Sequence, residues 1–205
     1  MEPTVIEVFA DVGCPFTHVG LRRFVEQRAE LGRDDVVLHV RAWPLEIVNG
    51  KPLDPVFIAE EVDDIRGQIA GDLFEGFVET SFPATSMPAL TLAAAAYDRG
   101  LAIGEAVSLA LRDLLFERGV DVADTEVLRG LADEHGVSVD LDDTTRVIAE
   151  HAEGVERHVT GSPHFFTPSG GFFCPALDVS RDDAGHLRIT ADPDGFATFL
   201  SGCFG

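Results

Sequence analysis

Apolar residues follow two different spacings along this chain, and the changes of spacing divide it. Residues 5–10 form an apolar run that reads as a buried strand, ending in the turn Asp11-Val12-Gly13. Cys14-Pro15 then opens an amphipathic helix, with Leu21, Phe24 and Val25 at helical spacing and Gly32 as its stop. Pro15 suits a first helical turn, where a missing N–H costs nothing. Residues 36–43 are β-rich and read as a second strand, parallel to the first because a helix joins them. Residues 44–55, with Asn49-Gly50, read as a loop.

From about residue 55 to 155 the period is helical throughout. Residues 56–77 predict one or two helices with an acidic face. Ser86 is placed to cap a helix through the small run 93–96, stopping at Gly100. A third helix spans residues 105–118, with Val107, Leu111, Leu114 and Leu115 on one stripe and Gly119 beyond. Residues 124–135 end at Gly136, and a last helix covers residues 142–153, with Gly154 as its stop.

β character then returns. Gly161-Ser162-Pro163 leads into residues 164–167, a turn at 168–171, and residues 172–177, a hairpin pattern. A turn at 182–185, a short strand at 186–190 and a closing helix at 194–200, with Phe196, Phe199 and Leu200 inward, complete the chain.

Composition narrows the function classes. The 205 residues are 45% hydrophobic without low-complexity tracts, which fits a folded globular protein. Fifteen basic against 36 acidic residues give a formal charge of -21, a surface that repels nucleic acid and anionic membranes. Met1 to Thr4 lead straight into a strand with no basic or apolar leader, and no apolar stretch reaches ~18 residues, so a cytoplasmic protein is expected. Three widely spaced cysteines make neither a disulfide framework nor a metal motif. The seven histidines show no ligand spacing, and no phosphate loop is present.

The strand-turn-Cys14-Pro15-Phe16-Thr17-helix segment, with the element order β-α-β, helices, β-β-α, resembles the DsbA-like thioredoxin-fold superfamily. Within it, the chain is similar to the branch of FrnE-type oxidoreductases, kappa-class glutathione transferases and 2-hydroxychromene-2-carboxylate isomerases. The resemblance implies an α/β thioredoxin fold, residues 1–54 and 156–205, carrying an all-helical insertion domain, residues 55–155. It aligns Cys14 with the family's attacking cysteine and Pro163 with its cis-proline. Ser162 then stands at the position that contacts substrate, beside Pro15, Phe16 and His18. The family's resolving cysteine is replaced by Thr17. A lone thiol needs an outside thiol to complete disulfide exchange.

Physical chemistry bears on the same residues. A cysteine at a helix mouth gains from free N–H groups and the macrodipole, which predicts an apparent pKa of about 6.5–8 for Cys14. The Thr17 hydroxyl can hydrogen-bond the thiolate, and His18 at i+4 can assist when protonated, whereas Asp11 opposes it. By the implied strand order, Cys174 lies several residues from the active end. A bridge to Cys14 needs Cα atoms within about 7 Å, so none is expected. Cys203, near the chain end, reads as incidental and open to oxidation. Trp43 and Phe57 read as core, with a pocket above Cys14 as the other option.

These readings predict a monothiol thiol-disulfide oxidoreductase acting on a protein or small-molecule thiol or disulfide. No cofactor is bound tightly, and glutathione or another small thiol is the expected co-substrate. Two other readings stand beside it. One is a thiol-dependent transferase or isomerase of apolar substrates, and the other is a non-catalytic binding module.

Overall fold

The computed structural model describes residues 3–182 and 187–205. Strand β1 (Thr4–Ala10) runs into helix α1 (Pro15–Glu30) and returns as β2 (Val36–Ala42), parallel to β1 with Val8 opposite Val40. The hairpin β3 (His164–Thr167) and β4 (Gly170–Phe173) lies antiparallel on the other side of β1, giving the order β2-β1-β3-β4. A separate ribbon pairs β5 (Leu177–Arg181) with β6 (Leu187–Ala191), and helix α8 (Pro193–Phe204) closes the chain.

Between β2 and β3 the chain is helical. The elements are α2 (Leu45–Val48), α3 (Pro55–Gln68), α4 (Met87–Ala96), α5 (Leu101–Phe116), α6 (Thr125–His135) and α7 (Thr145–Glu156). Local chemistry sets their ends. The Asp54 and Asp124 carboxylates accept N–H bonds at the starts of α3 and α6, and Gly136 ends α6 in the left-handed region that glycine enters freely.

Alternation along the strands sorts the two faces of the sheet. Ile6, Val8, Leu38, Val40 and Phe165 pack with Leu21 and Phe24 of α1 and Phe199 of α8. On the opposite face Phe9 packs edge-on to Trp43, under α7. The outer edge of β2 is covered by side chains of the helical segment. Leu38 N–H donates to Glu105 at 2.6 Å, Val40 N–H to the Tyr97 hydroxyl at 2.7 Å, and Ala42 N–H to Glu150 at 2.7 Å. An edge that would otherwise offer unpaired amides is thereby closed. The helices share one core with the sheet, in which Val12, Val19 and Ala42 join Ile65, Leu92, Leu111 and Leu115.

Several expected boundaries moved, each for a packing reason. The stretch 44–55 holds the one-turn helix α2 rather than loop alone. Of the one or two helices expected over 56–77, one forms and stops at Gln68; beyond it Phe74 turns into the core at φ 64 and the Phe74 and Glu75 amides bond the Glu117 carboxylate. Helix α5 begins at Leu101, four residues before its predicted start. Gly154 is not a stop: it lies inside α7, where a Cβ would sit 2.7 Å from the Trp43 ring and 3.0 Å from Phe9. The second hairpin strand ends at Phe173, and Leu177 belongs to the β5–β6 ribbon instead. Of the turn expected at 182–185 and the strand expected at 186–190, residues 183–186 lie outside the described residues. Leu187–Ala191 is strand.

Candidate active site around Cys14

The end of β1, the start of α1 and the entry to β3 converge on Cys14. Cys14 is the N-cap residue of α1, extended at φ -85 and ψ 114, with Pro15 in the first turn. Its Sγ donates to the Ser162 carbonyl at 3.2 Å, and the Ser162-Pro163 peptide is cis. Thr17 Oγ1 and Ser162 Oγ are 2.8 Å apart, either able to donate, and Ser162 Oγ also accepts the Asp11 amide at 2.9 Å. Pro15 is buried against the site, while Phe16 is half-buried. Phe16 lines an apolar pocket with Gly20, Pro163, Phe165, Cys174 and Leu177. The turn before Cys14 is roofed by Leu53 and Phe82, each 3.1 Å from where a Cβ on Gly13 would lie.

Asp11 does not act on the thiol as a nearby surface charge would. It is fully buried, and its carboxylate accepts from Gly13 N–H at 2.8 Å, Leu45 N–H at 2.7 Å and the Ser86 hydroxyl at 3.0 Å. These bonds tie β1, the α2 turn and the start of α4 into one frame beneath Cys14. Ser86 holds the N-cap position of α4, but its hydroxyl serves Asp11 instead of a helix amide. Burial pushes the Asp11 carboxyl up from its ordinary value against those bonds, and the buried Arg112 draws it back. Arg112 donates to the Asp11 carbonyl at 3.2 Å and the Ser108 carbonyl at 2.7 Å, and burial lowers it to about 10.

Cys14 departs from the acidity expected of it. It is only 4% exposed, and burial pushes its thiol up from the ordinary value. The Thr17 hydroxyl, Ser162 and the Thr17 amide pull the other way, and the charge of Glu61 adds to the rise. Desolvation thus outweighs the helix-terminus contribution of roughly 0.3–2 kcal/mol. Glu61 is itself a buried carboxyl, raised to about 7 by desolvation and paired with Arg181 at 2.8 Å.

His18 faces the helical segment. It is 1% exposed, bonds Glu117 at 2.5 Å and packs on Phe74 and Phe116. Burial lowers its pKa despite the carboxylate. Its place on α1 faces the helical segment, which the sequence alone did not locate. Trp43 belongs to the Phe9 cluster, and Phe57 lies on the surface beneath the Arg181 guanidinium, 4.9 Å from its ring. Cys203 is carried by α8 into the core and is only 2% exposed, so it is not an open oxidation point; burial raises its thiol to about 12, as it does that of Cys174.

Cys174 is the main positional correction. With His164 opposite Phe173, the next pair in the ladder is Pro163 and Cys174, and Cys174 N–H donates to the Pro163 carbonyl at 3.1 Å. The two-residue turn between Thr167 and Gly170 sets this register. It brings Cys174 to the active end of the sheet, not several residues away. Ser86 and Arg112 were missed as site residues, and Asp11, read as a charge opposing the thiolate, is instead the buried anchor of the frame beneath Cys14. The available signal was a lone arginine among the apolar positions of α5. Among the described residues no His, Cys, Asp and Glu cluster could hold a metal ion, and no helix is long and apolar enough to cross a membrane.

A four-stranded mixed sheet, a cysteine capping the helix after β1 and a proline-led strand facing it define a thioredoxin-fold thiol site. Residues 5–181 match the model of the DSBA-like thioredoxin domain, and the chain belongs to that family. Its fold is similar to the cytosolic disulfide reductase DsbM from Pseudomonas aeruginosa, at 15% identity and TM-score 0.61, covering 96% of this chain and 97% of that one. DsbM with GSH is similar at 14% identity and TM-score 0.59, with the same coverage of 96% and 97%. A 2-hydroxychromene-2-carboxylate isomerase matches at 14% identity and TM-score 0.54, over 82% of this chain and 88% of the other. No curated protein sequence matches the chain.

Proposed function

We propose that the chain is a cytoplasmic thiol-disulfide oxidoreductase that works through one attacking cysteine, Cys14. The observation that carries this reading is the contact of Cys14 Sγ with the Ser162 carbonyl beside Pro163, with Thr17 at the fourth motif position bonded to Ser162. Cys14 as thiolate attacks a disulfide sulfur, one half of the disulfide leaves as a thiol, and the other stays on Cys14 as a mixed disulfide. Thr17 and the N-terminal amides of α1 hold the thiolate. Once Sγ is bonded to substrate, the Ser162 carbonyl is free to accept an N–H from it. A small thiol of the glutathione type then attacks the Cys14 sulfur and releases the second half as a thiol, and a second equivalent frees Cys14 and leaves as the small-molecule disulfide. The acidic composition, the free cysteines and the likeness to a reductase described as cytosolic support the compartment and the co-substrate.

The test is intact mass after incubation with oxidised glutathione, for the parent and for Cys14→Ser. A glutathione adduct that depends on Cys14 is expected. One observation favours a second reading, a thiol-dependent isomerase or transferase: a deeply buried Cys14 whose Sγ donates to the Ser162 carbonyl serves better to hold a bound thiol than to attack a disulfide. Tight non-covalent glutathione binding without an adduct would move that reading to the front. Neither adduct nor binding would favour a binding module.

A further inference from the structure

The register that places Cys174 opposite Pro163 gives the site a second sulfur. Cys14 Sγ bonds the Ser162 carbonyl at 3.2 Å, and Cys174 N–H bonds the Pro163 carbonyl at 3.1 Å. The two cysteines therefore border the same dipeptide from two sides. Paired residues on antiparallel strands have Cα atoms about 4.5–5.5 Å apart, so Cys174 is one strand spacing from Pro163. Cys174 also lines the apolar pocket with Pro163 and with Phe16 and Gly20 from the first turns of α1, the helix that Cys14 caps. It stands at φ 44, where the chain leaves β4, and is joined to β5 only through residues 175 and 176. Both sulfurs are free thiols.

We propose that Cys174 is the internal resolving thiol of this site. The inference rests on Cys14 being the attacking cysteine. After Cys14 has captured one half of a disulfide, Cys174 sulfur attacks Cys14 sulfur. The Cys14–substrate S–S bond breaks, a Cys14–Cys174 S–S bond forms, and the Cys174 proton passes to the departing thiolate. The chain has then given two electrons to the original disulfide. Two equivalents of a low-molecular-weight thiol return both cysteines to the reduced state. Closure draws residues 174–176 toward the start of α1, across the pocket that Phe16 and Pro163 line. The replacement of the usual resolving cysteine by Thr17 is thus met from the neighbouring strand.

The experiment follows the adduct in time. Parent, Cys174→Ser and Cys14→Ser chains, all carrying Cys203→Ser, are mixed with oxidised glutathione and quenched in acid. Intact mass and non-reducing peptide mapping are then read. In the parent a glutathione adduct at Cys14 gives way to a form two hydrogens lighter than the reduced chain, with the Cys14 and Cys174 peptides joined. In Cys174→Ser the adduct persists at least about tenfold longer. A parent adduct as long-lived as that of Cys174→Ser overturns the resolving role and leaves the single-cysteine mechanism intact. No adduct in either chain overturns both. Should Cys174→Ser not fold, Cys174→Ala replaces it, and the peptide map of the parent still decides.

Discussion

Replacing Thr17 by valine removes one hydroxyl from a fully buried position and keeps the shape of the side chain. In the parent that hydroxyl bonds Ser162 Oγ at 2.8 Å and lowers the Cys14 pKa against the larger desolvation. Ser162 Oγ still accepts from the Asp11 amide, so the loss is that of one hydrogen bond, about 1 kcal/mol of stability. The same ~1 kcal/mol withdrawn from the thiolate is about 0.7 of a pKa unit, or about fivefold less thiolate at a pH below the pKa. A more basic thiolate attacks disulfides faster, with a Brønsted slope of about 0.4–0.5, which returns about twofold. The net expectation is a rate lower by about two- to threefold. Stopped-flow reaction with 4,4′-dithiodipyridine between pH 6 and 9 measures it, and Thr17→Ser should stay near the parent rate. The parent profile itself should show no plateau at or below the ordinary thiol value of about 8.5, because burial raises the thiol. A Val variant that matches the parent at every pH would refute the claim that this hydroxyl supports the thiolate.

Three other outcomes follow from the packing. Gly154→Ala should cost about 1–3 kcal/mol, because its Cβ would lie 2.7 Å from the Trp43 ring, and calorimetry should read a Tm lower by roughly 2–12 °C. Arg112→Met should cost about 1–3 kcal/mol at neutral pH, because it takes the donor from the buried Asp11 and Ser108 carbonyls and the positive charge from near the Asp11 carboxylate. Urea unfolding should show that cost shrinking in acid, where Asp11 takes up a proton. The depressed pKa of His18 adds stability that is present above its unfolded value of about 6.5 and is lost as pH falls through the folded value. His18→Gln should therefore flatten the loss of urea midpoint between pH 7 and 5.

The sequence by itself determined what depends on near neighbours. Strand-turn-Cys14-Pro15-helix is legible because each residue acts within its own turn: Pro15 fits a helix start, Gly32 and Gly136 fit left-handed ends, and Asp124 caps the amides after it. The order of elements followed from the same local periods, and with the Cys14-Pro15-Phe16-Thr17 segment it carried the resemblance to the family.

Only the tertiary structure decided what those residues meet. His18, read as a partner of the thiol, pairs with Glu117, 99 positions away, because α1 turns that face to the helical segment. Gly154 carries a stop pattern yet sits within the last turn of α7, where its missing side chain makes room for Trp43. Cys14 looks acidic from its helix position, but the chain folds over it, and the cost of burying a charge exceeds what one helix end returns. Cys174 was misplaced by the register of a hairpin, where a shift of a few residues separates the active end from the middle of a strand. Burial, register and long-range pairing are properties of the packed chain, and no local period encodes them.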